Sequence, residues 1–168
     1  MSESKAIDEF LAVLEREHST TMKVLRAFPK DKAEIQPHPK SKSARELAFV
    51  FAVENVLGQA VLQDKMMEVL QGGGFPSAPE SWDEILDTVE KGHRDFAALV
   101  RSFSDEEFHA PVHFMTGPKQ IGTMSRREAA WFLLHDQIHH RGQMSVYLRL
   151  ADARVPSIYG PSADEPWR

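Results

Sequence analysis

Four segments of the chain place apolar residues at alternating spacings of three and four, the pattern of an amphipathic helix. They cover about residues 4–28, 43–70, 81–104 and 125–151. At 1.5 Å per residue, such helices are each about 33 to 43 Å long, and matched lengths are typical of a bundle. We therefore predict an all-α fold, an antiparallel four-helix bundle formed by residues 1–168 as a single domain.

The segments between and after these helices carry their own signals. Ser43 with Glu46 three residues later has the pattern of a capping box, and Ser81 can cap the third helix. Residues 110–123 combine proline, glycine and short apolar runs, which favours a loop with a brief extended piece at residues 112–115. Residues 155–161 predict a non-helical C-terminal tail that folds back on the bundle.

Ionisable residues stand in the apolar rows near the midpoint of each predicted helix. They are His18 in the first, Glu54 in the second, His93 in the third, and His135 with His139 in the fourth. The row of the fourth helix reads Phe132, His135, His139, Gly142, Val146 and Leu150. Because the midpoints of equally long helices share one level, we expect these side chains to meet in a buried layer. An unpaired carboxylate at that depth would cost several kcal/mol, which favours a bound cation.

The fourth helix offers two pairs of metal ligands. His135 and His139 lie four residues apart, so their rings can point at one ion, and Asp136 and His140 on the neighbouring row share that spacing. Helix periodicity favours the first pair. The predicted ligands are therefore His18, Glu54, His135 and His139, and the residues that orient or replace them are Asp136, His140, Arg141, Gln143 and His93.

Two interpretations without a metal remain open. A histidine on an apolar helix face is commonly a core residue that is hydrogen-bonded to its surroundings. Glu54 could instead form a salt bridge with an arginine such as Arg141 across the core.

The composition of the chain limits which ligands and reactions are possible. The chain has 168 residues, a net charge of -5 and no cysteine, so a metal must be held by nitrogen and oxygen. No basic run could neutralise a series of phosphates, and no apolar run is long enough to span a bilayer. We expect a cytoplasmic protein that binds neither nucleic acid nor membrane. Motifs for nucleotide binding and serine hydrolysis are missing from the sequence.

Two segments resemble a known family. The run His139-His140-Arg141-Gly142-Gln143, with Val155-Pro156-Ser157-Ile158-Tyr159-Gly160 after it, resembles the DinB-like superfamily of DNA-damage-inducible and YfiT-type metalloenzymes. Ser43-Ala44-Arg45-Glu46-Leu47-Ala48 resembles the family's opening of the second helix. The resemblance spans the chain and implies a four-helix bundle, often a homodimer. It also implies a divalent nickel, zinc or iron-like ion on three histidines, one from the second helix and two, four apart, from the fourth.

Two positions depart from the family pattern. Val50 stands where the family has its second-helix histidine. Counting back from Arg141 gives His140 and Asp136, in place of His139 and His135, as the ligands on the fourth helix. We expect a relocated site that uses Glu54, since loss of the metal would leave polar groups in the core uncompensated.

The expected cofactor is a divalent ion: nickel, zinc, iron or manganese. With an open coordination position, such an ion favours a metal-dependent hydrolase. The resemblance implies a second reaction, thiol-dependent S-transfer, in which the metal activates a low-molecular-weight thiol; another small-molecule substrate is equally compatible with the residues. The alternatives are a non-catalytic, stress-related helical dimer and a bundle that binds a small ligand, each with a degenerate metal site.

Overall fold

The computed structural model describes residues 5–72, 75–117 and 120–167. Its long helices are α1 (Lys5–Arg26), α2 (Ala44–Leu62), α4 (Trp82–Ser102) and α6 (Arg126–Leu150). Between them stand the short helices α3 (Met66–Gln71) and α5 (Asp105–His109) and a hairpin of β1 (Pro111–Gly117) and β2 (Gln120–Ser125). Within the described residues, no helix is long and apolar enough to cross a membrane. The predicted first-helix start at Ser4 lies outside the described residues.

Serine caps fix the start of the three long helices that follow α1. The Ser43 hydroxyl accepts the N–H of Glu46, and the Glu46 carboxylate accepts the N–H of Ser43 at 2.8 Å. The Ser81 hydroxyl accepts the N–H of Glu84 at 3.3 Å. These contacts satisfy N–H groups that the first helical turn leaves free, and both predicted caps are confirmed.

The second helix ends at Leu62, before its predicted end at Leu70. Asp64 takes a left-handed backbone conformation with φ of 59°, which a short polar side chain tolerates. Its carboxylate accepts the backbone N–H of His113 at 2.8 Å, so this break in the helix is anchored to β1. The apolar pattern continues past the break because α3 resumes it at Met66, and periodicity alone cannot detect such an interruption.

The four long helices form the bundle, and α1 and α2 lie on its diagonal. α2 packs against α4 and α6, and α1 packs against the same two helices. The contacts between neighbouring helices therefore follow the order α1, α4, α2, α6 and back to α1. α1 and α2 are consecutive long helices in the sequence but not neighbours in space, so the chain crosses the end of the bundle between them.

The core consists of two apolar clusters with buried polar residues between them along the helices. One cluster includes Phe51, Val89 and Met144, and the other includes Phe10 and Phe96. The buried polar residues of the intervening helix segments are Glu17, Thr21, Glu54, Asn55, His93 and Arg141. This polar band is where the sequence predicts ionisable groups at the midpoint of the helices.

Residues 111–117 and 120–125 pair as antiparallel strands, where the sequence predicts a loop with one brief extended piece. Val112 pairs with Met124 and Phe114 with Gly122. Val112 and Phe114 are buried against the bundle while the residues between and after them are exposed. This alternation of buried and exposed residues is typical of a half-buried strand. It covers only a few residues, and the glycines that favoured a loop interrupt it.

α6 is rotated relative to the prediction. The row that contains His135 and His139 faces outward, since Phe132 is 53%, Val146 57% and Leu150 48% exposed. The buried face instead carries Leu133, Leu134, Arg141, Met144 and Leu148. Apolar residues surround this helix on nearly every side, so their spacing does not determine which face is buried.

The tail after α6 packs on the bundle, as predicted. The Asp164 carboxylate accepts the backbone N–H of Val155 at 2.9 Å and pairs with Arg149 at 2.5 Å. Glu165 pairs with Lys23 of α1 at 2.7 Å. These contacts hold residues 155–165 against the outer surface of α1 and α6.

Candidate metal centre

Three ionisable side chains meet between α2 and α6. Glu54 lies on the face of α2 that packs on α6, and Asp136 and His140 stand four residues apart on the facing side of α6. One ligand atom from each of these residues lies within 4.8 Å of the other two. The distance from His140 Nδ1 to Glu54 Oε1 is 2.8 Å, and the distance from His140 Nδ1 to Asp136 Oδ1 is 3.9 Å.

The electrostatics of this cluster are dominated by the burial of Glu54. Burial raises the pKa of the Glu54 carboxyl to about 7, and the neighbouring Asp136 carboxylate adds to the rise while His140 opposes it. The contact with Glu54 raises the pKa of His140, although partial burial and the positive charge of Lys42 act in the opposite direction. Two carboxylates beside one imidazole form an excess of negative charge that a cation would neutralise.

The hydrogen bonding within this cluster is incomplete. Both Glu54 carboxylate oxygens and His140 Nδ1 are buried without a hydrogen-bond partner among the described residues. Although Nδ1 and Oε1 are only 2.8 Å apart, their orientation is not that of a hydrogen bond. Buried polar atoms are normally satisfied, so these atoms fit a third body that both can bind. Carboxylate oxygen and imidazole nitrogen are ligands for zinc, manganese and iron, so the donor set fits a divalent ion.

The structure does not bring the predicted ligands His135 and His139 to Glu54. Both are exposed, and the His135 ring packs beside Trp131 while His139 Nε2 contacts the side-chain amide of Gln143 at 3.0 Å. The alternative pair on α6, Asp136 and His140, is the one that faces Glu54. Counting back from Arg141 gave Asp136 and His140, and this pair therefore has the geometry that a metal site with Glu54 requires.

His18 and His93 also lie apart from Glu54, on the opposite side of the bundle. Their rings stack in parallel with centroids 3.6 Å apart between α1 and α4. His93 Nε2 contacts the Glu15 carboxylate at 3.1 Å. Of the four predicted ligands, only Glu54 belongs to the observed cluster.

Arg141 is buried at 1% exposure and pairs with Glu17, not with Glu54. Its guanidinium donates to the Glu17 carboxylate at 2.7 Å and to the Glu17 carbonyl at 3.0 Å. The Tyr159 hydroxyl donates to the same carboxylate at 2.6 Å, and the Arg141 guanidinium also stacks over the Tyr159 ring. Burial works against ionisation of Glu17, but the bonds from Tyr159 and Arg141 outweigh it and lower its pKa.

Sequence reasoning missed Glu17 and Tyr159. A signal for Glu17 was present, because it stands three residues after Leu14 and four before Thr21, which is the spacing of a buried row. The prediction placed the adjacent His18 in that row. Tyr159 carried no comparable signal, since its position depends on how the tail folds back.

An open cavity of about 420 Å³ lies beside the cluster and reaches His140. Pro37 and Leu47 line one side of it, and Gln143 and Val146 of α6 line the other. The Asp136 side chain is 43% exposed and that of His140 is 18% exposed, whereas Glu54 is enclosed. A small molecule in the cavity would thus approach the cluster from the His140 side.

The fold and this cluster define a class: helical bundles that carry a carboxylate and imidazole group between two long helices. The family model of the DinB superfamily matches residues 13–144, and the chain belongs to that superfamily. The uncharacterized protein YrdA of Bacillus subtilis (strain 168) is 25% identical to the chain over 162 residues, which are 96% of this chain and 92% of YrdA. The resemblance found in the sequence is confirmed.

Solved structures of this class share the fold. A DinB-like protein from Bacillus cereus ATCC 10987 has a TM-score of 0.74 at 22% identity, covering 90% of this chain and 97% of its own. YfiT from Bacillus subtilis has a TM-score of 0.61 at 14% identity and covers 90% of each chain. YfiT is described as a probable metal-dependent hydrolase with an unusual four-helix bundle topology. The predicted four-helix bundle is thereby confirmed.

Proposed function

We propose that this protein is a metal-dependent hydrolase that holds a divalent cation on Glu54, Asp136 and His140. The observation that carries the proposal is a set of buried ligand atoms that make no hydrogen bond: both oxygens of Glu54 and Nδ1 of His140. Burying a carboxylate without a hydrogen bond, beside a second carboxylate, is costly, and a cation bound by all three side chains removes the cost.

The geometry favours a catalytic site over a closed structural one. Three protein ligands leave at least one coordination position open, and the cavity gives access to it from solvent. A divalent ion bound there supplies Lewis acidity, which polarises a carbonyl group or acidifies a water molecule. Glu54 would hold the ion from the enclosed side and Asp136 and His140 from α6, and the His140 side chain also lines the cavity. The description of YfiT as a probable metal-dependent hydrolase supports hydrolysis as the reaction class.

Metal analysis of untagged protein tests the binding site. We expect stoichiometric zinc, manganese, iron or nickel in the wild-type protein and a loss of that metal in Glu54→Gln and His140→Gln. His135→Gln is the matched control, because it removes an exposed imidazole from the same helix and should retain the metal. Loss of metal in His135→Gln with retention in Glu54→Gln would overturn the assignment, as would the absence of binding when the purified protein is titrated with each of these ions.

The reaction class is tested separately. Metal-loaded protein is assayed against chromogenic carboxyl esters, amides, lactones and phosphate esters. The same assays are repeated after chelation and again after the metal is restored. Hydrolysis that disappears on chelation, returns with the metal and is missing in His140→Gln supports the proposal. A protein that binds the metal but hydrolyses none of these classes would refute the hydrolase assignment while leaving the metal site intact.

A further inference from the structure

The cavity beside His140 has two kinds of wall. Pro37, Leu47 and Val146 give it an apolar lining, and the polar side chains of Lys42, Gln143 and His140 interrupt that lining. Small-molecule sites commonly combine a mainly apolar surface with a few polar groups that fix orientation. With a volume of about 420 Å³, it has room for a ligand of drug-like size.

The loop that forms one wall is held in place by hydrogen bonds. The Tyr147 hydroxyl of α6 donates to the backbone carbonyl of Lys42 at 2.8 Å, and the N–H of Ser41 donates to the carbonyl of His38 at 2.8 Å. The N–H of Ala44 donates to the carbonyl of Ile35 at 2.9 Å, which closes the loop at its base. The wall is therefore built before a ligand arrives, and the side chain of Lys42 takes no part in these bonds.

Lys42 brings the positive charge of the cavity. Among the described residues, no carboxylate lies within 4.0 Å of its ammonium group. The nearby carboxylate of Glu46 is already used, because it accepts the N–H of Ser43 in the capping box. Lys42 and the proposed metal ligand His140 both line this cavity.

We propose that this cavity is the substrate pocket and that it selects a small organic anion with an apolar body, whose negative group pairs with Lys42. The inference rests on the proposed function, since the divalent ion would balance the charges of Glu54 and Asp136 and leave Lys42 as an uncompensated positive charge. The apolar wall then accommodates the body of the ligand beside His140. A neutral analogue of the same shape would form no ion pair with Lys42, which is exposed to the solvent of the cavity.

Binding of phenylacetate and of its uncharged counterpart phenylacetamide tests the inference. Both are titrated by calorimetry into metal-loaded wild-type protein, Lys42→Gln and the control Lys40→Gln, which changes an exposed lysine of the same loop that does not line the cavity. We expect phenylacetate to bind wild type and Lys40→Gln at least about tenfold more tightly than phenylacetamide, and Lys42→Gln to lose that preference. Val146→Trp, which fills the cavity, should weaken both ligands.

Several results would overturn the inference. They are equal binding of the acid and the amide, undiminished binding of phenylacetate to Lys42→Gln, no effect of Val146→Trp, and no binding to wild type at millimolar concentration. Undiminished binding to Lys42→Gln would mean that the carboxylate coordinates the ion directly. The metal content of Lys42→Gln separates this test from that of the proposed function, because it stays at the wild-type level whether or not Lys42 binds the ligand.

Discussion

Glu17 and Glu54 are both buried carboxylates, and they differ in the groups that face them. Glu17 has a guanidinium and a hydroxyl as donors, so its charge is neutralised within the chain. Glu54 faces Asp136, a second acid, and an imidazole that makes no hydrogen bond with it. The first arrangement neutralises a buried charge within the chain, whereas the second is the one for which we propose a bound cation.

Replacing Arg141 by methionine tests how much the pair of Glu17 and Arg141 stabilises the fold. The substitution keeps most of the side-chain volume but leaves Glu17 buried without its cation, so we expect the free energy of unfolding to fall by about 3–5 kcal/mol. Urea denaturation near neutral pH measures the change. The double variant Glu17→Gln/Arg141→Met is the control, and it should recover part of the loss because no charge is left unpaired. A loss in Arg141→Met of less than about 1 kcal/mol would show that Tyr159 alone is sufficient for Glu17.

At the scale of helices, a glycine on α2 allows that helix to approach α4 and α6 closely. Gly58 of α2 lies against the Phe96 ring of α4 and the Leu133 side chain of α6. A Cβ atom at position 58 would come within 2.8 Å of Phe96 Cε2. Because that ring is enclosed in the core, it cannot move aside without disturbing its neighbours.

Gly58→Ala should therefore destabilise the bundle even though alanine favours a helix. We expect a loss of about 1–3 kcal/mol from overpacking. Gly142→Ala on α6 is the matched control, because a Cβ atom there meets no other atom within 4 Å, and it should gain about 0.5–1 kcal/mol from helix propensity. Thermal and urea unfolding of both variants measures the difference. A stabilised Gly58→Ala would show that α2 and α4 can separate without cost.

The capped starts of helices could be predicted better than helix rotation. The cap at Ser43 depends on residues three apart in the chain, so local sequence determines it. The buried face of α6 is determined by its neighbours, since apolar side chains such as Phe132 and Leu133 lie on both the exposed and the buried side. For the same reason Glu54 was identified from its row on α2, whereas the choice between His135 and His140 depended on the rotation of α6.

Across the whole molecule, the polar band is divided among the four helix interfaces. Glu54 meets His140 between α2 and α6, and the Asn55 amide donates to the Val89 carbonyl between α2 and α4 at 3.3 Å. Glu17 pairs with Arg141 between α1 and α6, and His18 stacks on a histidine of α4. The polar groups of α1 and those of α2 face different partners and do not converge on one ion, so the single layer predicted from the sequence becomes separate pairs. The homodimer expected from the sequence stays a prediction.

The stacked histidines between α1 and α4 make global stability depend on pH. Burial lowers the pKa of His18 from 6.5 to about 3, and nearby basic groups add to the effect: His93, Arg26 and Arg94. As the pH falls below about 6.5, the unfolded chain takes up a proton at this position that the folded chain does not, so the unfolded state gains stability. His18→Phe keeps an aromatic ring on His93 but removes the titration.

The quantity to measure is the difference in unfolding free energy between wild type and His18→Phe, from about pH 8 down to about pH 4.5. At the upper end it reports packing alone, and comparison of the two proteins cancels the titration of groups that do not contact His18, including Glu54. We expect the wild type to lose up to about 2.7 kcal/mol relative to the variant across this range, because one proton is linked to unfolding over roughly two pH units. A difference that stays constant with pH would mean that the folded protein accepts the proton on His18 as readily as the unfolded chain does, and that the stacked pair opens without cost to the bundle.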